Sequence, residues 1–213
     1  MPPTRFVNLV AARARFGDRV DRLAPYLDRT DTIADDVVAT IEEIGHKQGW
    51  EQVSRALRHG IAAVSGAPAS YRALFAQIDD VPPWVDWQVL DVGSDFQART
   101  GVLGGLALAT KSIVHGYASP AGNKPLVFSG RLTGREAARR LNETSRFVQA
   151  VTQRGGMRRH ADGFAIAVKV RLMHASVRRL ILQSGRWDAR AWGAPINQHD
   201  MSVTTILFSL AVL

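Results

Sequence analysis

Three ionisable side chains lie at regular spacing within an apolar stretch, residues 164–183. Arg171, His174 and Arg178 occupy positions i, i+3 and i+7, so they share one stripe of a predicted helix. The rest of the stretch is apolar nearly all round, which is typical of a buried helix. Because an unpaired buried guanidinium costs too much free energy to be tolerated, two arginines flanking a histidine predict an anion held inside the protein.

Spacing alone leaves two interpretations of this stripe open. Internal Glu or Asp could pair with the arginines, although the surrounding segment has few, and His174 could be a core histidine bonded to a carbonyl. A haem satisfies the same arrangement. In that case the neutral imidazole of His174 ligates iron, and Arg171 and Arg178, one turn to either side, pair with the two propionates.

A second predicted helix carries two further polar positions. Thr-Gly-Arg-Glu at residues 133–136 is a capping box, so a helix is expected over residues 133–153. Arg140 and Thr144 lie four residues apart on one face of that helix. Alone, this pair indicates little.

Taken together, the two helices resemble the signature of a known family. The segments are Arg140-Leu-Asn-Glu-Thr144 and Val170-Arg-Leu-Met-His-Ala-Ser-Val-Arg178. They resemble the rubber oxygenase (latex clearing protein) and MpaB-type oxygenase family in five positions and in their separations. Residues 119–130 and 192–200 are also similar to that family, and the resemblance is dense over residues 91–213.

The resemblance implies an all-helical fold of roughly eight to nine helices around one b-type haem. His174 would be the proximal iron ligand, Arg171 and Arg178 would bind the cofactor, and Arg140 and Thr144 would lie beside the haem as catalytic residues. The characterised chemistry of the family is oxidative cleavage of isoprenoid carbon–carbon double bonds by dioxygen. The implied partners are an apolar isoprenoid or lipid-like substrate and dioxygen, with peripheral membrane contact left open and no nucleic acid.

Two departures from the family make rubber itself a doubtful substrate. Some rubber oxygenases have a lysine just before the threonine, where this chain has Glu143. An acidic distal residue has no evident counterpart, since the polar residues in that region are Asn123 and Lys124. A smaller isoprenoid or lipid-like substrate is expected instead, with the apolar residues 101–117 as a wall of its pocket.

Composition narrows the chemistry further. The chain of 213 residues has no cysteine, which excludes disulfides, iron–sulfur clusters, thiolate-ligated haem and cysteine nucleophiles. No metal-ligand spacing relates His46, His59, His115 and His160, and the Glu-x-x-His repeat of di-iron bundles is absent. Next to a turn, Asp200 is expected to be a helix N-cap and His199 an exposed turn residue.

The net charge of +8 is concentrated in one stretch. Residues 131–190 carry 14 Lys and Arg against four Asp and Glu, and residues 1–130 are nearly neutral. A basic patch in a helical domain is the usual footprint of a nucleic-acid-binding protein, which is one alternative function. The apolar neighbours of Arg171 and Arg178 argue against it, since DNA-binding arginines sit on exposed faces. A non-catalytic haem-binding protein is the other alternative.

Strand signals are scarce, so the fold class predicted is all-α. Helices are expected over residues 4–28, 32–48 (closed by Gly49) and 50–64, whereas residues 118–132 form the longest irregular stretch. We expect a single domain, residues 1–213, with N-terminal helices in 1–90 and a haem-binding core in 91–213. The final apolar run ends uncapped at residue 213, so a C-terminal truncation is expected. The N-terminus has no secretory signal, which favours the cytoplasm.

Overall fold

The structure, a computed structural model, describes residues 3–116, 119–128 and 135–208. Within these ranges every regular element is a helix, which confirms the all-α prediction. Nine of these α-helices have eight or more residues, in agreement with the expected number.

The first half of the chain contains six α-helices and two short 3₁₀ turns, at Ala24–Leu27 and Ile61–Ala63. The α-helices are α1 (Leu9–Phe16), α2 (Arg19–Leu23), α3 (Thr32–Ile44), α4 (His46–His59), α5 (Ala69–Asp79) and α6 (Trp87–Ala107). Helix α6 is kinked at Gly101, whose φ is 50° and ψ is −132°.

The second half contains a π-helical segment, Leu108–Ser112, and six more α-helices in the described ranges. They are α7 (Ile113–Gly116), α8 (Pro120–Phe128), α9 (Arg135–Thr152), α10 (Asp162–Gln183), α11 (Ala189–Trp192) and α12 (Gln198–Phe208).

The chain divides into two units. The first, here the core unit, consists of Thr32–Gly101 and Gly134–Ser176. Helices α3, α4 and α5 pack together in it, and one face of α10 joins their apolar core through Val168, Leu172 and Ala175. Side chains such as Leu57, Tyr71, Leu74, Phe75 and Leu172 are at most 1% exposed. Complete burial of each large apolar side chain contributes about 1.5–3 kcal/mol, so this core fixes the position of α10.

The second, here the terminal unit, consists of Met1–Asp31, Val102–Thr133 and Val177–Leu213. In it α12 packs on the 3₁₀ turn Ala24–Leu27 and on α7. Leu27 is 1% exposed, and its carbonyl accepts a hydrogen bond from the Ala194 amide at 2.8 Å. The N-terminal residues are therefore part of the packing of this unit.

The bounds of three predicted helices differ in the structure, and each of these helices meets a glycine with positive φ. The helix expected over residues 50–64 spans His46–His59 and ends before Gly60, whose φ is 82°. The helix expected over residues 4–28 is interrupted at Gly17, whose φ is 63°, a backbone geometry that favours glycine. The helix expected over residues 32–48 ends at Gly45, with φ of 102°. Gly49 lies inside α4 instead. It packs against α3 there, since a Cβ at this position would come within 2.9 Å of the Ile41 backbone.

The prediction of an irregular stretch over residues 118–132 is wrong for residues 120–128, which form α8. Pro120 stands at the first helical position, where proline needs no donor. The Asn123 side-chain amide donates to the carbonyls of Gly116 and Ser119 at 2.8 and 2.9 Å. These bonds satisfy carbonyls ahead of the helix and tie α8 to the end of α7. The capping box expected at residues 133–136 lies outside the described residues apart from the start of α9.

No helix in the described part of the chain is both long enough and apolar enough to cross a membrane.

Candidate functional site

Helix α10 carries the three predicted cofactor-binding residues of the apolar stretch. It begins at Asp162, where Gly163 lies against α9: a Cβ on Gly163 would be 2.2 Å from the Ala150 carbonyl oxygen. The Phe164 amide donates to the Gly156 carbonyl at 2.9 Å. These contacts fix the start of α10 against the end of α9 within the core unit.

The charged stripe and the core-facing stripe occupy different sides of α10. Val168, Leu172 and Ala175 face the core, and at about 100° per residue the positions of Arg171 and His174 lie roughly 65° and 125° to one side of that direction. Both residues are half-buried, and the Nδ1 atom of His174 is buried. The solvent-accessible surface of His174 therefore lies on atoms other than Nδ1.

Arg178 lies in the terminal unit and is 3% exposed. Its Nε donates to the Pro195 carbonyl at 3.2 Å, and its Nη2 donates to the Ile196 carbonyl at 3.1 Å. The sequence argument considered carboxylates as internal partners of this guanidinium and overlooked backbone carbonyls. Hydrogen bonds to carbonyls offset part of the cost of burying the charge. Its expected role toward a propionate stays a prediction.

The backbone at Ile196 is strained. This β-branched residue has a φ of 52°, in the left-handed region that such side chains rarely adopt. A residue in that region costs on the order of 1–3 kcal/mol and persists only where its surroundings hold it. The observed conformation presents the Ile196 carbonyl to the Arg178 guanidinium, 3.1 Å away.

The two predicted catalytic residues lie on α9. Thr144 is half-buried in the core unit. The backbone of Arg140 belongs to the same helix, but its side chain is outside the described part of the structure. The structure therefore places both positions on one helix, four residues apart, as the sequence predicts.

Asp200 is the centre of a buried polar cluster that the sequence did not predict. Arg5 donates to both its carboxylate oxygens, at 2.8 and 2.7 Å, and the Asn197 side chain donates to it at 2.9 Å. Burial alone raises the pKa of Asp200, but the nearby His199 imidazole, the hydrogen bonds from Arg5 and Asn197 and the charge of Arg5 lower it to about 2. Asp200 is therefore ionised at neutral pH.

This cluster corrects two predictions. The N-cap of α12 is Asn197, whose side-chain oxygen accepts from the Asp200 amide at 2.9 Å, so Asp200 lies in the first turn instead. His199 is half-buried, with Nδ1 3.7 Å from an Asp200 oxygen, and is not an exposed turn residue. The Asn-x-x-Asp spacing could have identified the cap, but no local signal links residue 5 to residue 200.

Arginines of the basic stretch pair with aspartates within the core unit. Arg154 pairs with Asp95 at 2.8 Å and with Asp91 at 3.6 Å, and Arg159 pairs with Asp79. The acidic partners come from the part of the chain before residue 100. Local charge along the sequence therefore overstates the charge available to an anionic partner.

The residues of α10 fit a haem. A haem needs one protein ligand to iron, which an imidazole nitrogen can supply. His174 is half-buried with a buried Nδ1, and two arginines lie on its stripe of α10. Among the described residues no three His, Cys, Asp or Glu side chains are grouped to hold a metal ion. The fit to a haem does not depend on such a group.

Residues 91–213 match the family described as ER-bound oxygenase mpaB/B'/Rubber oxygenase, catalytic domain. The match covers more than half of the chain, so this protein belongs to that family of oxygenases. The resemblance seen in the sequence is confirmed.

One protein with a similar sequence is the rubber oxygenase of Streptomyces sp. (strain K30). It is 27% identical over 177 residues, which are 82% of this chain and 43% of the relative. The chain thus spans less than half the length of this curated relative. No solved structure matches the chain significantly.

Proposed function

We propose that this protein is a haem-b-dependent oxygenase that uses dioxygen to cleave or oxygenate an isoprenoid or other unsaturated apolar chain. The observation that carries the proposal is the position of His174. It lies inside the matched oxygenase domain, with its Nδ1 buried and with Arg171 and Arg178 on its stripe of α10. The name of the Streptomyces relative, a rubber oxygenase, supports an apolar polyisoprenoid-like substrate.

Each residue has a distinct role in this proposal. His174 would hold the iron through its imidazole, and Arg171 and Arg178 would pair with the two propionates. Arg140 and Thr144 on α9 would act beside the haem, where dioxygen and substrate react. A bound haem supplies binding and activation of dioxygen; the protein supplies orientation and an apolar surface.

Apolar side chains are available for such a substrate in the terminal unit. Val102, Leu103 and Leu106 are 88%, 75% and 56% exposed, in the segment expected to line a substrate pocket. Exposed apolar surface of this kind is typical of sites that bind apolar molecules or proteins.

Glu143, at the position where some rubber oxygenases have lysine, is exposed and pairs with Arg139 at 2.9 Å. The replacement of lysine by glutamate at this position favours a substrate other than rubber.

The first test is haem binding by the purified protein. Hemin is added, and the visible absorption spectrum and the iron content are measured. The wild type should give a Soret band with one iron per chain, and His174→Ala should lose both. The matched control is His59→Ala, an exposed histidine at the end of α4, which should bind haem like the wild type.

The arginines are tested in the same assay. Arg171→Leu and Arg178→Leu should weaken haem retention and keep the spectral signature of the iron–histidine bond, whereas Arg146→Leu, an exposed site on α9, should change neither. Unchanged haem content in His174→Ala would refute the ligand assignment. Haem binding without consumption of dioxygen or formation of carbonyl products would favour the non-catalytic haem-binding alternative.

A further inference from the structure

An N-terminal strap, residues 3–6, is bonded to the segment that leads into α12. The amides of Thr4 and Arg5 donate to the carbonyls of Arg190 and Ala191 at 3.0 and 2.9 Å. The Arg5 guanidinium donates to the Trp192 carbonyl at 3.3 Å. The strap lies outside the part of the chain matched by the oxygenase family, residues 91–213, but it contacts that part directly.

The Arg5 side chain is also the centre of a buried clamp. It binds both oxygens of Asp200 and donates to the Ser119 hydroxyl at 3.2 Å. The side chains of Arg5 and Asp200 are only 14% and 17% exposed. A bidentate pair with this burial is much stronger and more directional than an exposed one. The clamp therefore fixes both the start of α12 and the segment before it.

The turn held in this way, residues 193–197, is the turn that binds Arg178. The Arg5 clamp fixes one end of this turn. Within the turn, the Ala194 amide donates to the Leu27 carbonyl at 2.8 Å. Gly193 packs so closely that a Cβ would lie 2.5 Å from the Leu27 oxygen. The strained Ile196 carbonyl on this turn accepts from Arg178. All these residues belong to the terminal unit.

We propose that Arg5 is a positioning residue for Arg178, acting through the turn of residues 193–197. It clamps Asp200, the clamp holds the turn in its strained conformation, and the turn carbonyls hold the Arg178 guanidinium. The inference rests on the proposed function only where Arg178 is taken to bind a haem propionate. In that case the N-terminal strap contributes to haem binding by the oxygenase domain.

The test compares Arg5→Leu, Arg178→Leu and the double variant in the full chain. Because Arg5→Leu leaves Asp200 buried without its charge partner, Arg5→Gln/Asp200→Asn is made as well, to remove both charges together. The control is Arg13→Leu, which breaks the exposed pair between Arg13 and Asp21 in the same N-terminal region. Thermal unfolding of each haem-free variant establishes that it is folded.

The first readout is the rate of haem loss to an excess of an acceptor protein. Loss of a buried charged hydrogen bond predicts roughly tenfold or faster haem loss in Arg5→Leu and in Arg178→Leu. The double variant should lose haem no faster than Arg178→Leu, because both changes act through one guanidinium. Additive effects in the double variant, or wild-type rates in Arg5→Leu and in Arg5→Gln/Asp200→Asn, would overturn the inference.

The second readout needs no haem, so it separates this inference from the proposed function. Exchange of the Arg178 Nε proton, which is bonded to the Pro195 carbonyl, is followed by NMR in the haem-free protein. It should be about tenfold faster or more in Arg5→Gln/Asp200→Asn and unchanged in Arg13→Leu. Equal exchange in all variants would refute the positioning role even if haem binds. Faster exchange without any haem binding would support it and refute the proposed function.

Discussion

At the residue scale, buried charge in this protein is stabilised by backbone geometry as well as by opposite charge. Arg178 is bonded to two carbonyls, one of them on the strained residue Ile196. Asp200 is bonded by Arg5 and Asn197. Removal of one partner from such a group costs more than the bond itself contributes, because the other partner stays buried and unsatisfied.

Asp200 provides a pH-dependent prediction at this scale. Its pKa is 3.8 when unperturbed and about 2 in the folded protein, so the stability that its charge contributes is complete at about pH 5 and higher and is lost as the pH falls through 3.8 to about 2 and below. The shift corresponds to roughly 2 kcal/mol. We expect Asp200→Asn to lower the free energy of unfolding by at least about that amount at pH 7, because Arg5 also loses its charge partner.

The measurement is denaturant unfolding of the haem-free protein at several pH values. The difference between wild type and Asp200→Asn should shrink as the pH approaches 2. Asp21→Asn serves as the control, since Asp21 pairs with Arg13 in solvent and should have a much smaller effect. A difference that stays constant from pH 7 to pH 2 would show that Asp200 does not act through its charge.

At the element scale, α10 depends on a close approach to α9 that only glycine permits. A Cβ on Gly163 would lie 2.2 Å from the Ala150 oxygen and 2.5 Å from the Gly156 oxygen, both of them backbone atoms that cannot move aside alone. The start of α10 would have to shift away from α9. Its core residues Val168 and Leu172 would shift with it.

Gly163→Ala is therefore expected to destabilise the core unit by about 2 kcal/mol or more, the range of severe overpacking. Thermal or denaturant unfolding of the haem-free protein measures the effect. Gly93→Ala in α6 is the matched control, because its Cβ would meet nothing within 4 Å. An alanine there should be neutral or stabilise by up to about 1 kcal/mol. Equal effects of the two substitutions would contradict the packing argument.

At the scale of the whole molecule, haem binding should be coupled to folding. A ligand that binds only the folded chain stabilises it by about 2.7 kcal/mol at a hundredfold excess over its Kd. Hemin should therefore raise the Tm of the wild type in a concentration-dependent way, and His174→Ala should abolish the rise. The measurement is a thermal melt at increasing hemin. A rise of equal size in His174→Ala would indicate binding somewhere else.

Charge at this scale is distributed differently from the sequence profile. The stretch 131–190 is strongly basic, but Arg154, Arg158 and Arg159 pair with aspartates from earlier in the chain. These pairs leave fewer free cations than the count of 14 basic residues indicates. The nucleic-acid-binding alternative loses part of its support for this reason.

The sequence by itself determined the features that depend on local spacing. The 3.6-residue period predicted the all-α class, the bounds of α10 to within two residues and the end of α9 to within one, and the Arg, Thr, Arg, His, Arg spacing identified the family. Local turn chemistry was less reliable: Gly45, with a positive φ, ends α3 where Gly49 was expected to, and Gly49 instead packs against Ile41 within α4.

Only the tertiary structure decided which distant residues meet. Arg5 lies 195 positions from Asp200, and no periodicity or capping rule connects them. Two described partners of Arg178 are backbone carbonyls, which no sequence pattern identifies because every residue has one. Contacts of this kind arise from the path of the chain between elements, so they become visible only when the elements are packed together.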